Sequence, residues 1–97
     1  IYKDDLVFVI KDIHPKAIVH LLIIPIEPIV TAADIEPRHE QTVGHLFTVA
    51  RKMADQFNIV ESGYRLIVNC KEWGGQEVMH LHMHLLGGEK LGPMVSK

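Results

Sequence analysis

Three histidines occupy alternate positions in the segment 79–88, which reads Met-His-Leu-His-Met-His-Leu-Leu-Gly-Gly. Strict alternation is typical of a β-strand, in which successive side chains point to opposite faces. A strand here places His80, His82 and His84 on one face and apolar side chains on the other. This row of imidazoles is too polar for a core face and too dense for an ordinary solvent-facing one. The segment therefore predicts a site of chemistry.

Two chemistries use such a row. Neutral imidazole is a common metal ligand, and imidazole is also a nucleophile that attacks phosphorus. Residues two apart on a strand are separated by about 6.8 Å, so three histidines in a row do not converge on one ion easily. The sequence offers no second cysteine and no clearly convergent acidic residue as a replacement ligand. We therefore expect no metal and no cofactor, while a metal-binding protein stays a rival interpretation.

Polar residues that suit a phosphate or a ribose lie close to the row in the sequence. Gly75, Gln76 and Glu77 lead directly into the histidine segment, and glycine lets backbone N–H groups approach an oxyanion. Asn69, at the other end of the same loop, has an amide that can donate to a phosphate or ribose oxygen. Asp12 can accept hydrogen bonds from ribose hydroxyls, although a carboxylate in a turn is more often a cap.

Four further histidines need a separate interpretation. His20 interrupts an apolar strand face, which is typical of a hydrogen-bonded core histidine unless it faces the row. His14 precedes a proline in a turn and is either a surface or a site residue. His39 and His45 lie outside the apolar stripe of a predicted helix, so we expect both on the surface.

Composition limits the class of protein. A chain of 97 residues with 47% hydrophobic residues predicts one domain, spanning 1–97. The net charge of −2 and the absence of a Lys/Arg run argue against a nucleic-acid site. No apolar run is long enough to cross a membrane. The single cysteine, Cys70, rules out an intramolecular disulfide and favours a reducing, cytoplasmic location.

Periodicity predicts an α+β domain, with an antiparallel sheet and one long helix packed on one face. Strands are predicted at 6–10, 19–24, 64–70 and 77–86, the last two paired across the glycine loop. The helix begins near Pro37 and ends at Asn58, and Gly44 within it suggests close approach of another element. Its predicted apolar stripe comprises Val43, Leu46, Phe47, Ala50, Met53, Ala54 and Phe57.

Taken together, these residues resemble the histidine triad (HIT) family, whose motif is His-x-His-x-His followed by apolar residues. The closest likeness is to bacterial members of its nucleotide-binding branch. The resemblance covers nearly the whole chain. The N-terminal segment of the family is expected to be missing from this sequence. Further matching positions are Asp12-Ile13, Pro15, Val19-His20, Ile24-Pro25, Gly63-Tyr64-Arg65, Val68-Asn69 and Gly74-Gly75-Gln76.

The resemblance implies a five-stranded antiparallel sheet that continues across a homodimer. It also implies a purine nucleoside phosphoramidase, acting on conjugates of AMP or GMP, in which His82 attacks the α-phosphorus and carries the nucleotide until water releases it. His80, His84 and His20 would orient the nucleophile and the phosphate. The residues that would bind the nucleotide are Asp12 and Ile13 at the ribose and base, and Asn69, Gly75, Gln76, Glu77, His82 and His84 at the phosphate and leaving group.

The third histidine favours a hydrolase, because the related nucleotidylyltransferase branch has glutamine at the position of His84. Three positions depart from the family pattern: Glu77 and His14 stand where serine is usual, and Pro28 stands where many members have histidine. Besides the metal-binding protein, two rival interpretations stay open. They are a dinucleoside polyphosphate hydrolase and a non-catalytic nucleotide-binding or interaction module.

Overall fold

A computed structural model describes residues 1–95 and shows a five-stranded antiparallel sheet with one α-helix packed on one face. The predicted α+β class is confirmed. Across the sheet the strand order is β1-β2-β3-β5-β4. The elements are β1 (Tyr2–Lys3), β2 (Val7–Lys11), β3 (Val19–Pro25), α1 (Glu40–Gln56), β4 (Tyr64–Ile67) and β5 (Met83–Gly87), with short 3₁₀ turns at Ala32–Asp34, Pro37–His39 and Glu72–Gly74.

Strand β5 lies inside the sheet, between β3 and β4, and this places the end of the histidine row at its centre. His84 faces Leu22 on β3 and Ile67 on β4 in the strand register. A residue paired on both sides has little backbone freedom, so the position of the His84 Cα and the direction of its side chain are fixed. The predicted pairing of the third strand with the histidine strand is confirmed.

Both strands are shorter than predicted. The third strand ends at Ile67 instead of residue 70, and the histidine strand begins at Met83 instead of residue 77. The histidine strand begins later because Leu81 bonds instead to the connection that follows β3, where its N–H donates to the carbonyl of Ile29 at 2.7 Å. The alternation survives this change, because Leu81 and Met83 are both buried.

The first strand was not predicted, because it has only two residues. Its turn is built by Asp4, whose carboxylate accepts hydrogen bonds from the N–H groups of Leu6 and Val7 at 2.8 and 2.9 Å. This local capping returns the chain antiparallel to β2. The Asp4-Asp5 pair before an apolar strand was the only signal in the sequence.

Helix α1 covers one face of the sheet and closes the core. The predicted helix is confirmed, but Phe47 is 55% exposed and does not belong to the buried stripe. The suspected close approach at Gly44 is wrong, since a Cβ added there would meet nothing within 4 Å among the described residues. The core comprises Val7, Val9, Leu21, Ile23, Leu46, Val49, Ala50, Met53, Ala54, Ile59, Met83 and Leu85.

The two histidines expected on the surface are structural. His39 is buried because the helix begins only at Glu40, so His39 belongs to the preceding 3₁₀ turn. Its Nδ1 accepts from the N–H of Glu36 at 2.9 Å, and its Nε2 lies 2.8 Å from Glu27 Oε2. The half-buried ring of His45 reaches Asp4 Oδ2 at 2.7 Å and connects α1 to the N-terminal turn.

Candidate active site

A cleft lies on the face of the sheet opposite to the helix. Because side chains alternate along a strand, the residues between the buried core positions point to this face. His20, Leu22 and His84 therefore face away from α1, whereas Leu21 and Leu85 face it. The cleft has a volume of about 410 Å³ and is lined by Ile10, Lys11, Asp12, Ile13, His14, Lys16, Leu22, Asn69, Gly75, Glu77, Val78, His82 and His84.

The tautomer of His82 is fixed by the backbone. Its Nδ1 lies 2.7 Å from the carbonyl oxygen of His80, and a carbonyl only accepts, so Nδ1 carries the proton. The lone pair then lies on Nε2. His80 itself is held by a hydrogen bond from its Nε2 to the carbonyl of Pro25 at 2.9 Å. The first histidine of the row thus positions the second and does not line the cleft.

The tautomers of His20 and His84 follow from a second chain of hydrogen bonds. The backbone N–H of Lys16 donates to His20 Nδ1 at 3.0 Å, so His20 carries its proton on Nε2. That Nε2 lies 2.9 Å from His84 Nδ1, which must accept. His84 therefore keeps its own proton on Nε2, as a donor in a residue that lines the cleft. His20 lies buried beneath His84.

Electrostatics maintain this arrangement at neutral pH. The pKa of His84 is lowered to about 4, mainly by burial and also by the neighbouring His82 and His20, whereas Asp12 opposes the shift. Burial also lowers the pKa of His20, again against the effect of Asp12. The hydrogen bond from the N–H of His14 is the main reason that the pKa of Asp12 is lowered. Two neutral imidazoles thus lie beside one carboxylate.

Asp12 is closer to the histidines than the sequence indicated. Its Oδ2 lies 3.4 Å from His20 Nε2, and donor atoms of Asp12, His20 and His84 all lie within 4.8 Å of one another. The expectation that no acidic residue converges on the site is therefore wrong. These three residues have the spacing of a metal site. However, the Lys16 N–H occupies His20 Nδ1, so ligation through Nε2 would require removal of its proton.

The glycine loop departs from the expected anion-binding backbone. The N–H groups of Gly74, Gly75 and Gln76 donate to carbonyls of Lys71 and Glu72 within the loop, at 3.0–3.2 Å. They are therefore not available to an oxyanion in this conformation. Gly75 has a φ of 85°, which only glycine adopts without strain. The Asn69 amide lies beside Gly75, 4.0 Å from the position of an added Cβ.

Most of the predicted site residues meet at the cleft. Three of them do not line it: His80, which bonds to Pro25, Gln76, whose side chain is buried, and His20, which is also buried. His20 supports the site from below. The sequence did not identify Lys11, Lys16 and Val78, because a lysine or valine next to a turn carries no distinctive signal. The predicted residues on the cleft lining are Asp12, Ile13, Asn69, Gly75, Glu77, His82 and His84, together with His14, whose place was left open.

Comparisons with known proteins agree with this geometry. A family model described as "HIT domain" matches residues 1–91. The chain is 54% identical over 96 residues to a purine nucleoside phosphoramidase of Escherichia coli (strain K12), which covers 99% of this chain and 81% of that protein. A HIT family hydrolase from Clostridium thermocellum superposes with a TM-score of 0.93 at 46% identity, covering 98% of this chain and 83% of that one. A histidine triad protein from Clostridium difficile superposes equally well at 37% identity, with the same coverage.

Proposed function

Because this chain belongs to the HIT domain family, we propose that it hydrolyses purine nucleoside phosphoramidates, in which AMP or GMP is joined through phosphorus to an amine. The observation that carries the proposal is the fixed tautomer of His82. With Nδ1–H held by the His80 carbonyl at 2.7 Å, Nε2 offers a lone pair at the cleft. The name of the Escherichia coli relative supports the substrate class.

The proposed reaction has two displacements at phosphorus. In the first, His82 Nε2 forms a bond to the α-phosphorus and the bond from phosphorus to the amine breaks. The amine leaves with the bonding electrons and takes up one proton from water, while His84 on the cleft lining keeps its Nε2–H. In the second, water forms a P–O bond, the His82–phosphorus bond breaks, and AMP or GMP leaves. Overall, water supplies a proton to the amine and a hydroxyl to phosphorus.

The remaining cleft residues divide into two groups in this proposal. Asp12 and Ile13 hold the ribose and the base on one side of the histidines. Asn69, Gly75 and Glu77 surround the phosphate and leaving group on the other. His84 offers its Nε2–H to a phosphate oxygen, while His20 and His80 orient the two cleft histidines from outside the cleft.

A homodimer with a continuous sheet completes the proposal. Strand β4 forms one edge of the sheet, and sheet edges in proteins are normally covered or paired. Phe47 on α1 and Val68 after β4 are exposed apolar residues of the kind that a second copy covers. Light scattering at micromolar concentration should give twice the chain mass.

Within residues 1–95 no helix is long and apolar enough to span a membrane. Our proposal of a cytoplasmic location rests separately on the single cysteine, which fits a reducing compartment.

An assay of two substrates, with and without EDTA, tests the activity directly. We expect the protein to hydrolyse adenosine 5′-phosphoramidate faster than a bridged dinucleoside polyphosphate, with no loss of rate in EDTA. AMP binding without turnover of any substrate would contradict the hydrolase and favour a nucleotide-binding module. Loss of activity in EDTA that added zinc restores would instead assign the Asp12, His20 and His84 cluster to a metal.

A further inference from the structure

One buried amide holds together the loop on the phosphate side of the cleft. The side chain of Gln76 is 7% exposed and makes three hydrogen bonds. Its Oε1 accepts from the N–H of Lys71 at 2.8 Å. Its Nε2 donates to the carbonyls of Val30 at 2.8 Å and Val78 at 3.0 Å. These partners determine the orientation of the amide. The N–H of Lys71 needs the amide oxygen as its acceptor, and the carbonyls of Val30 and Val78 need the amide nitrogen as their donor.

The three partners lie on different parts of the chain. Lys71 immediately precedes the 3₁₀ turn, Val78 follows the glycine loop, and Val30 belongs to the connection after β3. That connection directly follows Pro25, the last residue of β3, whose carbonyl holds His80, and its Ile29 carbonyl accepts from the N–H of Leu81. The Gln76 amide thus closes the loop 71–78 on itself and fastens it to the segment that orients the histidine row. Gln76 is flanked by two residues on the cleft lining, Gly75 and Glu77.

We infer that Gln76 is a positioning residue for the phosphate side of the site, acting through Gly75 and Glu77 without touching the substrate through its side chain. The expected effect of Gln76 on turnover rests on the proposed function. Its expected effect on affinity requires only that the cleft binds a nucleotide. Both donor hydrogens and the carbonyl oxygen are already used within the protein. No side chain with only donors or only acceptors satisfies the three partners.

Two substitutions distinguish the hydrogen bond that the Gln76 side chain accepts from the two that it donates. Gln76→Met keeps the length of the side chain and removes all three hydrogen bonds. Gln76→Glu keeps an oxygen acceptor for Lys71 and removes both donors, which places a carboxylate against the carbonyls of Val30 and Val78. A matched control is Gln41→Met, because Gln41 is an exposed residue on α1, on the other side of the sheet from the cleft.

Three measurements on the full chain test the inference. We expect kcat/KM for adenosine 5′-phosphoramidate to fall about 10- to 100-fold in both Gln76 variants, as small displacements of positioned groups do. The control should stay within about twofold. Affinity for AMP should fall while affinity for adenosine does not, because only AMP reaches the phosphate side. A general loss of structure would weaken both ligands alike, and circular dichroism checks that the fold is retained.

Trp73 provides a reporter inside the loop. It is the only tryptophan in the chain, it is fully exposed, and it lies in the 3₁₀ turn between Lys71 and Gln76. Its fluorescence anisotropy should fall in both Gln76 variants and remain unchanged in the control. This readout needs no turnover, so an inactive parent protein would refute the proposed function and leave the inference testable.

Other results would overturn the inference. Parent-like kcat/KM, AMP affinity and Trp73 anisotropy in a folded Gln76→Met protein would overturn the inference. If neither variant folds, amide hydrogen exchange in the parent protein decides. Slow exchange of the Lys71 N–H supports a closed loop, and exchange as fast as in an unfolded chain overturns it.

Discussion

His82 and His84 lie only two residues apart, yet their protons are fixed by different means. A backbone carbonyl holds the Nδ1 proton of His82, and the carbonyl remains when any other side chain is replaced. The tautomer of His84 depends on another side chain, His20, which in turn depends on the N–H of Lys16. The tautomer of the proposed nucleophile is therefore independent of other side chains, whereas the tautomer of the neighbouring donor depends on one.

The largest effect expected from this comparison is that of His82→Ala. Removing the nucleophile should lower kcat by more than about 10⁴-fold, because catalysis depends on it far more than ground-state binding does. Affinity for AMP should change little. Steady-state kinetics and calorimetric titration measure the two quantities. Retention of most activity in this variant would remove His82 from the nucleophile role.

The second effect is that of His84→Ala. It removes the donor on the cleft and leaves the Nε2 proton of His20 without its acceptor, so kcat should fall about 10²- to 10⁴-fold. A matched control is His14→Ala, since His14 also lines the cleft but makes its hydrogen bonds to Asp12 and Lys16 through its backbone. The control should lose no more than about twofold. Equal losses in the two variants would show that the histidine pair has no special role.

A smaller effect is expected from Asp12→Ala, which acts on the ribose side of the site. A hydrogen bond to a charged group contributes about 1.5–3 kcal/mol, so KM should rise about 10- to 150-fold. The change in kcat should be smaller, because a ribose contact is largely the same in the ground and transition states. Comparison of ribo and 2′-deoxy substrates checks the role: equal handling by the parent protein would contradict it.

The smallest effect is a shift in the titration of His84. The pKa of its ring in the fold is about 4, below its ordinary value of 6.5, so the unfolded chain binds its proton first. Its contribution to stability is thus complete above about pH 6.5 and lost as the pH falls towards 4. NMR titration should place the midpoint near 4 in the parent. Asp12→Asn should move it lower, because Asp12 raises the pKa; a parent midpoint near 6.5 would contradict the burial of the ring.

Alternation and motif spacing were enough to predict the sheet, the helix and the cleft histidines. The period-two pattern identified the face shared by His82 and His84, and the period of the helix identified its buried stripe. Both signals depend on hydrophobic burial, which repeats along a chain and is visible in the sequence. The exceptions were residues such as Phe47, which lies next to the stripe and is exposed.

Contacts between irregular segments were not predictable. Three contacts join distant parts of the chain: His39 with Glu27, Leu81 with Ile29 and Gln76 with Val30. None of these contacts repeats with a period or uses a distinctive residue pair. The same explanation applies to Asp12, whose approach to His20 depends on the conformation of a turn.

The most direct test of the proposed mechanism is the detection of nucleotide covalently attached to His82. The protein is exposed briefly to adenosine 5′-phosphoramidate, quenched, and analysed by intact-mass and peptide mass spectrometry under conditions that preserve phosphoramidate bonds. The mechanism predicts an added AMP on the peptide that contains His82, and no addition in His82→Ala. Turnover in the parent with no AMP on any histidine, or AMP on another residue, would contradict it.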